Sequence, residues 1–111
     1  MTNLNSADGY IVLINTFTVE PSRAEELLEV LSRATEAGMR QMPGFVSANL
    51  HVSHDKRHVA NYAQWRSQED LDAMMKNPKA RVHMQEAASI ATSFDPIYYE
   101  LRETHSAGKA E

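Results

Sequence analysis

Cysteine is absent from the 111-residue chain, which excludes disulfides, thiolate catalysis, Cys-held zinc and iron–sulfur clusters. Glycine occurs only at positions 9, 38, 44 and 108, so neither GxGxxG nor a phosphate loop is present. A flavin or nicotinamide held by that fingerprint is therefore excluded, and the GxSxG elbow of serine hydrolases is missing too. Long apolar runs are also lacking. The longest lies around residues 11–14, far too short to cross a bilayer. Basic residues number 11 against 15 acidic ones, giving a net charge of −4. They form no stripe, so no nucleic acid partner is expected. The opening MTNLNSADGY has neither the charged nor the apolar part of a secretory signal. What is present, 42% hydrophobic and 23% charged residues, is ordinary for one soluble globular domain. The expected location is the cytoplasm.

Periodicity divides the chain cleanly. Residues 1–8 and 103–111 are polar and aperiodic and read as disordered tails around a domain at 9–102. YIVLINTFTV (10–19) is rich in β-branched and aromatic residues and reads as a strand. Pro21 and Ser22 open a helix, with Ser22 and Glu25 at capping-box spacing. Ala24, Leu27, Leu28, Leu31, Ala34 and Ala37 then recur at helical intervals, until Pro43–Gly44 stops the helix near Met42. Residues 44–53 and 58–65 alternate as two strands, joined by a two-residue turn at Asp55–Lys56 into a hairpin. Ser67 and Asp70 repeat the capping spacing and start a second helix. Asn77–Pro78 interrupts it before a further run to Ile90, and IYYEL (97–101) closes as a short strand. The order β-α-β-β-α-β is that of an α+β ferredoxin-like fold, an antiparallel sheet with its helices on one face.

Splitting each strand by parity predicts two sheet faces. Ile11, Leu13, Asn15, Phe17 and Val19 share the helix-facing side with Val59, Asn61, Ala63 and Trp65, and with Val46, Ala48, Leu50 and Val52. Two asparagines thus sit on neighbouring central strands of an apolar face, near the only tryptophan. An unpaired buried amide costs roughly 1–3 kcal/mol. Either the two bond to each other or to a helix end, or they mark a ligand pocket between sheet and helices. The opposite face carries Val12, Ile14, Thr16, Phe45, His51, Ala60, Tyr62 and Gln64. It is too apolar for water, so a second copy of the chain is expected to cover it as a homodimer.

Few side chains in this sequence bear strong chemistry. His51, His54 and His58 lie along a hairpin and its turn, so they do not converge on a metal, and no metal or other cofactor is expected. His83 falls on a helix bordering the expected pocket. Met74, Met75 and Met84 suit the core, or the wall of a site for a flat aromatic ligand. Trp65 serves either to cap the core or to stack on such a ligand.

The stretch 10–101 resembles the antibiotic biosynthesis monooxygenase family of dimeric α+β barrels, through PGFVSANLH (43–51), VANYAQWRS (59–67) and FDPIYYEL (94–101). NYAQW is similar to the strand of its cofactor-independent anthrone monooxygenases. The resemblance implies oxidation of a phenolic polycyclic substrate to a quinone by O2. It implies catalytic roles for Asn61 and Trp65, and the pocket read from the strand faces and helix spacing adds Asn15, Phe17, Met74, His83 and Met84 as substrate-binding residues. That branch's pocket Tyr and Arg fall at Leu71 and near Met84, which departs from its pattern, while its His matches His51. The heme-degrading branch shares Asn15, but its catalytic Trp falls at Met74. Its axial His falls at Met84, one place beyond His83. Heme degradation and a non-catalytic binding module are the alternatives.

Overall fold

The computed structural model describes residues 10–108. Four strands, β1 (Ile11–Thr18), β2 (Phe45–Val52), β3 (His58–Trp65) and β4 (Ser93–Glu100), form one antiparallel sheet in the order β2-β3-β1-β4. Three helices, α1 (Ala24–Ala37), α2 (Gln68–Lys76) and α3 (Pro78–Ile90), complete the ferredoxin-like α+β fold. Short 3-10 turns at Pro21–Arg23 and Met39–Gln41 flank α1. The expected tail at 1–8 and residues 109–111 lie outside the described residues; 103–108 are exposed and form no helix or strand. Among the described residues, no helix is long and apolar enough to cross a membrane.

Several boundaries move, each for a physical reason. The Ser22–Glu25 capping box does not form. Pro21 instead opens the 3-10 turn, α1 begins at Ala24, and its N-cap Arg23 makes no side-chain cap bond. Arg23 pairs with Glu26 at 2.9 Å, and the hydrogen bond from Arg23 holds the Glu26 carboxyl below its ordinary range. At the other end α1 stops at Ala37, short of Met42, with Gly38 as its C-cap. Glycine is a poor helix former, and the break falls there before the proline is reached. Val30 is buried on α1, whereas Ala37 is exposed. The hairpin keeps the expected register, Val52 opposite Val59 and Leu50 opposite Asn61. Its connection is longer than two residues. Lys56 N–H donates to Ser53 O, Ser53 N–H donates to His58 O, and Lys56 adopts φ 62°. A four-residue loop has the same parity as a two-residue one, so the faces are preserved. β4 begins four residues earlier than expected and contains Pro96. Proline is tolerated there because β4 is an edge strand.

The second N-cap forms as spaced: the Ser67 hydroxyl accepts from Asp70 N–H at 3.1 Å and donates to the Asp70 carboxylate at 3.0 Å. Gly44, at φ +84°, lies directly against that carboxylate, and its carbonyl accepts from Arg66 N–H at 2.8 Å. A Cβ at Gly44 meets the Asp70 side chain and a left-handed backbone at once. The residue joins the start of β2 to the start of α2.

Two apolar clusters fill the space between sheet and helices. One gathers Phe17, Val19, Leu27, Val30, Val59, Ala87 and Ile90; the other gathers Leu13, Ala63, Trp65, Leu71, Met74 and Ala80. Gly44→Ala is expected to lose at least ~1–3 kcal/mol of stability through backbone strain alone. Thermal unfolding checks this, and an unchanged Tm refutes it.

Candidate active site

Register places the two asparagines. β1 and β3 are antiparallel with Asn15 directly opposite Asn61, so their Cβ atoms lie within roughly 4.5–5.5 Å. On β1, Asn15 falls between Phe17 of one apolar cluster and Leu13 of the other; on β3, Asn61 falls between Val59 and Ala63. The amide row therefore runs along the seam of the core. Its neighbours across the sheet are Leu50 on β2 and Pro96 on β4.

A cavity of about 130 Å³ opens over this seam. Its lining includes Asn15, Phe17, Asn61, Trp65, Met74, His83 and Met84, so the structure brings together every residue singled out for catalysis or substrate binding. The remaining wall comes from α1, from Leu13, Ala63 and Ala87, from Met39 and Met75, from Phe45 and Ala48 on β2, and from Phe94 and Pro96 on β4. The Oδ1 atoms of Asn15 and Asn61 are both buried without a hydrogen-bond partner among the described residues. The alternative in which these amides satisfy each other or a helix end therefore fails for both oxygens. Orphaned acceptors in an apolar wall are costly by roughly 1–3 kcal/mol each.

Phe45 corrects the parity argument. Alternation assigns it to the outer face, yet it stands opposite Trp65, because a bulge between Phe45 and Ser47 shifts the register. Its ring meets the indole edge-on, with centroids 5.4 Å apart and planes at 87°. One extra residue flips the side chains beyond it to the other face. Trp65 is 1% exposed, held by Phe45 and by Ile11 opposite it on β1. Phe94 and Pro96 escape the sequence reading because it starts β4 too late. The only advance signal for Phe45 is its position next to Pro43–Gly44.

On the outer face, two residues expected to need a partner copy are already buried within one chain: Val12 at 2% and Gln64 at 0% exposure. Gln64 Oε1 accepts from the Ser47 hydroxyl at 3.2 Å, while its Nε2 has no partner among the described residues. His51 is exposed on that face, opposite Ala60. No group of three or more His, Asp or Glu side chains among the described residues is arranged to hold a metal ion.

Replacing Asn61 by Leu removes one orphaned acceptor and extends the apolar seam. The variant is expected to unfold at a higher temperature than the native protein, by about 1 kcal/mol or more of added stability. A lower Tm would show that the amide oxygen is already well solvated.

Comparison with known proteins agrees with this architecture. The tetracenomycin-F1 monooxygenase of Streptomyces glaucescens is 40% identical over 108 residues, covering 97% of this chain and 94% of that protein. A monooxygenase from the ActVA-Orf6 gene of Streptomyces coelicolor, solved in complex with nanaomycin D, superposes with a TM-score of 0.84. It is 24% identical, over 92% of this chain and 96% of its own. SnoaB of Streptomyces nogalater, a cofactor-independent oxygenase, superposes at 0.78 with 22% identity, over 86% of this chain and 96% of its own. Residues 10–86 match the antibiotic biosynthesis monooxygenase family, and the chain belongs to that family.

Proposed function

We propose that the protein is a cofactor-independent monooxygenase that oxidises a phenolic, anthrone-like polycyclic aromatic to its quinone with O2. The observation that carries this reading is the pair of amides, whose oxygens have no hydrogen-bond partner among the described residues, in a largely apolar cavity beside a buried indole. Family membership and the similarity to a tetracenomycin-F1 monooxygenase support it.

The chemistry asks little of the protein. Ground-state O2 is a triplet and reacts slowly with closed-shell phenols, but an electron-rich enolate can reduce it directly. The protein must bind the substrate in a dry site, favour its enolate and keep O2 nearby. In this mechanism Asn61 donates its amide N–H to the developing enolate oxygen. Asn15 accepts from a phenolic O–H, filling one of the vacant acceptors. The terminal torsion of asparagine is roughly two-fold, so a half-turn about it presents either end of the group. Trp65 fixes the ring system by stacking, and its N–H can donate to the peroxide. The enolate carbon bonds to oxygen, and the resulting hydroperoxide loses water to leave the new carbonyl. In sum, one ring methylene and one molecule of O2 become one carbonyl and one molecule of water.

Metal-free protein is expected to accelerate oxygen uptake by dithranol in air, and Asn61→Ala is expected to lower that rate about 10²–10³-fold. Uptake no faster than in buffer overturns the reading.

We further propose that a second copy covers the outer sheet face, where Ile97 and Tyr99 are 42% and 45% exposed. Light scattering on the eluting protein is expected to give twice the chain mass, and Tyr99→Lys to reduce it. A monomer at micromolar concentration refutes this.

A further inference from the structure

The mechanism above needs a proton acceptor, and neither amide nor indole is a base. Of the residues lining the cavity over the seam, His83 is the one whose side chain type serves as a base. It is half-buried on α3. Asn77 caps that helix, its Oδ1 accepting from Lys79 N–H at 2.9 Å and Ala80 N–H at 3.2 Å, with Pro78 in the first turn. The start of α3 is thereby fixed, and Ala80, His83, Met84 and Ala87 share one face at helical spacing. Ala80 and Ala87 are buried, so this face of the helix is turned into the protein.

His83 also lines a second cavity, of about 290 Å³, between the end of α1 and the start of α3. The two cavities share His83, Met39 and Ala34. Lys79 is the only charged side chain in either lining, and no carboxylate occurs in either. The residues of α1, of the following turn, of α2 and of the sheet that line these spaces with His83 are uncharged. Nearby on α1, Arg33 is engaged with Glu29 and with Glu86 of α3, and Glu36 with Arg40; none of these lines either cavity. Thus His83 lines both the cavity that holds the amides and this second space.

We infer that His83 is the general base of the reaction. The inference rests on the oxygenase reading. Neutral His83 takes one proton from the substrate, leaving the enolate and an imidazolium. Oxygen adds to the enolate carbon, and the imidazolium returns its proton to the outer peroxide oxygen. The hydroperoxide then loses its remaining C–H proton and hydroxide as water. His83 ends neutral, and no electrons are required beyond those of the substrate.

The test uses the intact protein with dithranol. His83→Gln is expected to lower kcat/KM about 10²–10⁴-fold, mostly through kcat, and to abolish the acid limb of the pH–rate profile. His54→Gln, at the exposed hairpin turn, keeps both. In His83→Ala, free imidazole is expected to restore part of the rate. A folded His83→Gln that keeps the native rate and acid limb, while Asn61→Ala is impaired, overturns the inference and leaves the oxygenase reading standing. A ring-nitrogen NMR titration of His83 with dithranol under nitrogen works without turnover. Protonation of the ring on binding is expected. An unchanged ring signal on saturation overturns the inference whatever the oxidation assay shows, and it also settles the case of a His83→Gln that does not fold.

Discussion

The antiparallel register of β1 and β3 sets Asn15 against Asn61, and the rest of the site depends on that one pairing. Two strands that bury an apolar face against helices would be more stable with aliphatic residues throughout. Here the row is interrupted at one level on both strands, so the apolar contacts divide into two clusters with a void between them. Neither amide oxygen finds a donor. A core that gave up this much cohesion without a ligand would be poorly optimised; a site that must present polar groups in a dry setting has to do so.

The second constraint acts on the indole. Trp65 ends β3, where the chain turns into α2, and its position follows from how β2 begins. Gly44 takes a left-handed conformation and abuts Asp70, whose own backbone N–H is capped by Ser67. The bulge that follows brings Phe45 onto the indole edge. A backbone irregularity, a helix cap and an aromatic pair therefore fix one side chain in the cavity wall. Bulges next to sites commonly re-aim a side chain in this way.

Much of this is legible in the sequence because it follows from parity. The alternation of β1 and β3 puts Asn15, Asn61 and Trp65 on one face, and the hairpin register holds although its loop is longer than expected. What parity cannot reach is any departure from two-residue repetition, and it places Phe45 on the wrong face for that reason. Pro96 hides the first half of β4, since proline argues against a strand unless the edge position is known. The Ser22 cap fails where the Ser67 cap forms. Pro21 can itself begin a turn, whereas no proline stands just before Ser67, which is separated from β3 by one residue and immediately precedes α2. That both amide oxygens lack partners is a fact of three dimensions, which spacing can only pose as a question.

The cavity is smaller than the ~300–1,000 Å³ of ordinary ligand pockets, and this bears on how a polycyclic ring system would enter. The floor is a sheet whose strands cannot part without breaking their ladder. The roof is different. Met39, Met74, Met75 and Met84 line it from the turn after α1 and from α2 and α3. Methionine has an unbranched, rotatable stem and a polarizable sulfur that contacts aromatic faces well. Edge strand β4 adds Phe94, which is half exposed and 6.1 Å from Phe17 between ring centroids. A flat ligand can therefore gain room by displacing thioethers and one edge-strand ring while the amides and Trp65 stay in place. On the proposed reading, adaptable walls over a rigid polar floor would separate the choice of ring system from the positioning of its oxygens.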